Sequence, residues 1–259
     1  MLPIYDDVPT RRTPVLTIGL ILACTLVFLY QHSLPTNASL GSVQAFECEW
    51  GVVPAHVING GDPALDVQHP AQDGHDITCQ GVNQRHQRWV GLITSLFLHG
   101  DWLHLLGNML FLWIFGNNVE DRLGRIRFIP FYLLCGVVAG LVQAATDSGS
   151  GVPLIGASGA ISGIIGAYLV LHPRAGVWTL IGMVIPWKIP AWLWGALYFG
   201  LQFIALGGSG SPQGGGIAYW AHIGGFLAGL VLVRPFAIGR RDSGPPTARR
   251  PAPGPSAWR

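Results

Sequence analysis

The sequence predicts an all-α membrane protein with six transmembrane helices and both termini on the cytoplasmic side. Three observations carry that prediction. First, half of the 259 residues are hydrophobic and only 11% are charged, against about 25% in an ordinary soluble domain, and the mean hydropathy is +0.42. So little charge could not cover a soluble enzyme, and so much apolar surface excludes disorder as the main state. Second, five stretches lack Lys, Arg, Asp and Glu. Their apolar runs do not alternate in polarity as barrel strands would, so they read as helices, which satisfy their own backbone in lipid. Third, the basic residues segregate between alternate loops. The 36 glycines have no three-residue period, so the chain is not collagen-like. Its net charge of +2 gives no sign of a nucleic-acid partner, and its four cysteines do not make a disulfide scaffold.

Residues 1–14 read as a cytoplasmic segment and 15–235 as the six-span membrane domain. The first span lies in the uncharged stretch 13–46, with its apolar part at 15–30. Arg11 and Arg12 precede it, but Leu29-Tyr30-Gln31-His32 offers no small-residue cleavage site, so the span reads as retained. The outside loop, 31–88, holds Cys48 and Cys79. On the oxidising side they could pair, or stand as two separate thiols. Cys24 and Cys135 fall inside spans. The second, third and fourth spans lie in 102–119, 128–146 and 148–173. The stretch 189–233 is long enough for two more spans of roughly 17–25 residues each, divided by a Gly- and Ser-rich loop at 207–216. The apolar run 177–187 is short and Pro190 follows it, so it reads as an interfacial or re-entrant approach to the fifth span. Residues 236–259, rich in Pro, Gly and Arg toward the end, read as a disordered cytoplasmic tail.

With the N-terminus inside, thirteen basic residues fall in inside segments: Arg11, Arg12, Arg122, Arg125, Arg127, Arg174, Lys188, Arg234, Arg240, Arg241, Arg249, Arg250 and Arg259. Only Arg85 and Arg88 fall outside. The positive-inside bias therefore gives N-in, C-in, and a missed span would invert the later loops.

Polar residues within spans are costly and mark function. His99, His104 and Asn108 lie around the start of the second span, Ser158 at the start of the fourth and His222 at the start of the sixth. All three spans begin outside, so these five residues share one depth in the outer half of the bilayer. A serine is a weak nucleophile until a base takes its proton, and histidine is the usual base. Ser158 and His222 form the natural pair. Gly159 with Gly163, and Gly225 with Gly229, are small-xxx-small patterns that let two helices approach closely. His104 and Asn108, four apart, share a helix face and offer donors to an oxyanion. The Ser158 amide, at a helix start, adds a third. His99 takes a structural role and Asp101 that of a helix N-cap. No acid lies in a span to complete a triad, so a two-residue dyad follows by elimination. A zinc site of His99, His104 and His222 is the rival reading, but it leaves Asn108 and the Gly-Ala-Ser-Gly turn unused.

At these residues the chain resembles the rhomboid family of intramembrane serine proteases, over about 89–235. His99-x4-His104-x3-Asn108 is similar to the family's first motif, Gly156-Ala157-Ser158-Gly159 to its GxSG, and Ala221-His222-x2-Gly225-x3-Gly229 to its AHxxGxxxG. The stretch from Val119 to Gly124 looks like the turn after its second span. The resemblance implies a six-helix rhomboid-like bundle with a water-filled cavity open to the extracytoplasmic side. It implies Ser158 as nucleophile, His222 as general base, and His104, Asn108 and the Ser158 amide as the oxyanion hole. Gly156, Gly159 and Gly225 would support the site. The implied substrates are single-span membrane proteins, cut in or near the transmembrane segment, and no metal or cofactor is implied. The alternative is a weak or inactive relative that binds membrane helices. Two positions depart from the pattern. Arg88-Trp89 stands just upstream of where the family often has Trp-Arg, and Ser162 stands where an aromatic often packs on the catalytic histidine. Tyr219 or Trp220 could substitute for that ring.

Overall fold

A computed structural model describes residues 2–35, 42–60, 79, 88–208 and 218–239. The chain opens with strand β1 (Leu2–Asp6) and helix α1 (Val15–Ser33), followed by short helices α2 (Val43–Trp50), α3 (Pro54–Asn59) and α4 (Arg88–Thr94). Helix α5 (Trp102–Phe111) passes through one π-helical turn, Leu112–Gly116, into α6 (Asn117–Leu123), with right-handed helical backbone at both junctions. Then come α7 (Arg125–Thr146), α8 (Ser158–Leu171), strands β2 (Gly176–Ile181) and β3 (Ile185–Pro190), α9 (Ala191–Gly208) and α10 (Tyr219–Ala237). Helices α1, α7 and α10 are long and apolar enough to cross a membrane, while α8 and the stretch Ala191–Ile204 of α9 are shorter apolar helices.

A small sheet stands beside the helices. Residues 177–187, expected as an interfacial or re-entrant approach to the fifth span, form most of a hairpin, and part of segment 1–14 joins it to make an antiparallel sheet in the order β1-β2-β3. The reason is a period of two: Val177 and Thr179 are buried while Trp178 between them is exposed, which suits a strand and not a helix. Gly182 and Met183, both with left-handed backbone, turn the chain back. The loop 31–88 also carries structure of its own. Cys48 and Cys79 are disulfide-bonded, with a Cα–Cα distance of 5.4 Å, and Val52 bridges to Leu154. Helix α10 runs to Ala237, two residues into the segment expected as a tail. Residues 240–259 lie outside the described residues, as does the loop at 209–217.

Helix α8 is the hub of the bundle. Every residue from 159 to 168 is buried, enclosed chiefly by α7 and α10. Alanine at 225 would put its Cβ 2.0 Å from the Gly159 carbonyl oxygen, and at 229 it would lie 1.9 Å from that of Gly163. The α8 and α10 backbones are therefore in direct contact, an approach that only glycine permits at these two positions.

Polar anchors fix the end of the bundle away from Ser158. Glu120 accepts from the amides of Leu16 and Thr17 at 3.1 and 2.7 Å, and from the Thr17 hydroxyl at 2.8 Å. A carboxylate from α6 thus caps α1, where no local side chain does. Asp6 accepts from Asn118 Nδ2 at 2.7 Å and from the Tyr168 hydroxyl at 2.5 Å, pinning the sheet to α6 and α8. Burial pushes its carboxyl up to about 6, against the Tyr168 hydrogen bond.

Candidate active site

Four helices meet at one end of the bundle. Helices α5, α8 and α10 begin there, and the last turns of α9 end there. Each brings a polar side chain.

Ser158 is the first residue of α8. Its position depends on the segment before it, where Leu154 pairs with Val52 and the Gly156 amide donates to the Ser95 carbonyl at 2.9 Å. Gly156 has φ of +121°, and a Cβ there would lie 2.7 Å from Cε1 and Nε2 of His104. Both the backbone and the imidazole packed against it demand glycine. The same added Cβ would lie 3.8 Å from Ser158 Oγ, so His104, Gly156 and Ser158 form one cluster.

His222 lies in the first turn of α10. The Ala221 amide, beside it, donates to Gln143 Oε1 of α7 at 3.2 Å. His222 Nε2 stands 2.8 Å from Ser158 Oγ, across the glycine contact between α8 and α10. Its Nδ1 stands 3.0 Å from Gln202 Oε1 on α9.

On α5, Asp101 accepts from the His104 amide at 2.8 Å and is the N-cap. Asn108 is buried, and its Nδ2 has no hydrogen-bond partner among the described residues. An unmatched buried amide costs free energy unless a ligand uses it. His99 packs edge-on to His104, with ring centroids 5.2 Å apart. Its main chain is held by Gln31: the His99 amide donates to Oε1 at 3.4 Å, and Nε2 donates to the His99 carbonyl at 3.1 Å and to Glu47 at 2.6 Å. Burial pushes Glu47 up to about 7, against that hydrogen bond. Among the described residues no group of three His, Cys, Asp or Glu side chains could hold a metal ion.

Sequence reasoning missed Gln202, Tyr198, Gln143 and Gln31. Ser162, where an aromatic was looked for, instead hydrogen-bonds the Tyr198 hydroxyl of α9 at 2.8 Å. The Tyr219 ring is edge-on to His222 at 6.5 Å, and beside Ser158 the imidazole has Gln202 as a direct polar partner. A signal was there to read: Gln202 is the one carboxamide in 191–204, and a carboxamide in lipid needs a partner.

The Rhomboid domain family model matches residues 86–238. Curated relatives include "RHOMBOID-like protein 5" of Arabidopsis thaliana, 34% identical over 56% of this chain and 43% of that protein. "Rhomboid protein 1, mitochondrial" of Saccharomyces cerevisiae is 28% identical over 55% of this chain and 40% of its own length. "Rhomboid protease GlpG" of Salmonella paratyphi A is 29% identical over 54% and 45%. The chain spans less than half the length of each of these three.

Proposed function

This chain belongs to the rhomboid family, and we propose that within it the protein is an intramembrane serine endopeptidase that cuts single-span membrane proteins in or near their transmembrane segment. The observation that carries this reading is the 2.8 Å separation of Ser158 Oγ and His222 Nε2. Two helices are brought into backbone contact to achieve it.

In the proposed reaction His222 Nε2 takes the Ser158 proton as Oγ attacks the scissile carbonyl carbon. The carbonyl oxygen becomes an oxyanion. Asn108 Nδ2, the His104 ring N–H and the Ser158 amide donate to it, and that amide, in the first turn of α8, has no intrahelical acceptor. The imidazolium then gives its proton to the departing amine, leaving an acyl-serine. Water, deprotonated by His222, attacks the acyl carbon, and Ser158 is regenerated as the carboxylic acid leaves. No metal or cofactor enters the balance.

We take α1, the continuous α5–α6, α7, α8, α9 and α10 as six spans, N-in and C-in by the charge bias. Helix α8 has 14 residues and is thus about 21 Å long, against about 30 Å of hydrocarbon. With its far end at the inner interface, Ser158 lies below the outer surface, and water reaches it through a cavity opening outward. A substrate with helix-breaking residues near the cut suits this site, because a helical peptide bond is sterically shielded.

The test is cleavage of a labelled single-span substrate by the purified full chain in liposomes, wild type against Ser158→Ala, with and without chelator. Cleavage by wild type alone, indifferent to chelator, is expected. Undiminished cleavage by Ser158→Ala would refute the reading. Silence of both, with intact folding and several substrates tried, would favour a relative that binds membrane helices without cutting them.

A further inference from the structure

We infer that Gln202 is a positioning residue for His222, holding it in the one tautomer that can act as a base; this rests on the protease reading above. The argument begins with the carboxamide oxygen, which has lone pairs and no proton. At 3.0 Å from Gln202 Oε1, Nδ1 of His222 must be the donor. The ring proton of the neutral imidazole then sits on Nδ1, and Nε2 presents its lone pair to the Ser158 hydroxyl at 2.8 Å. The opposite amide orientation would aim an NH2 at Nδ1. It would force the proton onto Nε2 and leave Ser158 facing a donor in place of a base.

One contact favours this orientation, and two more hold the turn of α9 that carries Gln202. Gln202 Nε2 turns back to the Tyr198 carbonyl at 3.5 Å, one helical turn earlier, which leaves Oε1 for the histidine. The Tyr198 hydroxyl is tied to Ser162 Oγ at 2.8 Å, so the turn of α9 that carries Gln202 is docked on α8. The Tyr198 ring stacks on Trp194, with centroids 5.5 Å apart and planes within 9°. Residues 198 and 202 thus lie on one face of α9. One reaches the nucleophile's helix and the other the base itself.

This device differs from an acid-completed triad. A neutral amide orients the imidazole and accepts from it, but gives the imidazolium no counter-charge. Among the described residues, the titratable groups facing His222 are His104, from α5, and Tyr219, on its own helix.

The test uses the full chain in liposomes with two readouts: cleavage kinetics, and the rate at which a fluorophosphonate, a reagent for activated serines, labels Ser158. Gln202→Leu removes the acceptor and should lower kcat and the labelling rate by about 10- to 100-fold, the range for a lost buried hydrogen bond, with KM little changed. Gln202→Glu restores an acceptor and adds charge. It should keep more activity than Gln202→Leu and move the acidic limb of the kcat/KM profile to higher pH, because an anion beside the imidazolium favours its protonated form. A purely packing role would not move that limb. Wild-type kcat in Gln202→Leu, or an unmoved limb in an active Gln202→Glu, overturns the inference while the protease reading stands. Loss of cleavage and labelling in the wild type itself overturns both.

Discussion

Gly225→Ala tests whether the contact between α8 and α10 sets the distance on which the chemistry depends. The new Cβ would lie 2.0 Å from the Gly159 carbonyl oxygen and 2.9 Å from its carbon. A Cβ essentially never comes nearer than 3.0 Å, and 3.0–3.4 Å is already tight; both neighbours are backbone, so the helices must separate by at least about 1.0–1.4 Å. Passed to the side chains, that shift takes the Ser158–His222 distance from 2.8 Å to about 3.8–4.2 Å, beyond a hydrogen bond. A misplacement of about 1 Å costs about 10²-fold in rate. Overpacking of this kind destabilises by about 1–3 kcal/mol, so the protein should still fold. Gly229→Ala is the control. Its Cβ would meet the Gly163 carbonyl at 1.9 Å, one turn farther from the dyad, and should lower Tm comparably with a smaller loss of rate. The assay is initial cleavage rate in liposomes beside fluorophosphonate labelling and Tm in detergent. A Gly225→Ala protein that cleaves at the wild-type rate would refute the reasoning.

Two further outcomes follow from single side chains. Asn108→Ala, which removes the unmatched buried amide, should lower kcat by about 10²–10³-fold with KM little altered; an unchanged kcat would remove Asn108 from the oxyanion site. Glu47, pushed up to about 7 by burial, holds its proton more tightly in the folded chain than in the unfolded one. Its contribution to stability is therefore greatest at acid pH and falls as pH rises between about 4.5 and 7. The Tm difference between wild type and Glu47→Gln, followed from pH 4 to 8, should move against the wild type across that window. A flat difference would count against the assignment.

The candidate site residues were legible because each stands out locally. Ser158, His222, His104 and Asn108 are polar groups in apolar helices, and the glycines at 159, 163, 225 and 229 recur at the spacing of one helix face. Asp101 was likewise readable as a cap from its place before an apolar run. The sheet was less so. An eleven-residue apolar run reads as an interfacial or re-entrant approach, and what local sequence could not show is that β1, from the far end of the sequence, pairs beside the hairpin that it forms.

By itself, then, the sequence determined the membrane class, the main apolar segments, and which few polar groups must find partners in lipid, because hydrophobic period and composition are properties of neighbours along the chain. The tertiary structure alone decided which partners they find. Gln202 meets His222, Ser162 meets Tyr198, and Glu120 caps a helix more than a hundred positions earlier. Each pairing depends on how a helix is rotated about its axis and on which helix lies beside it. Those quantities come from packing α8 among its neighbours, and no local stretch of sequence carries them.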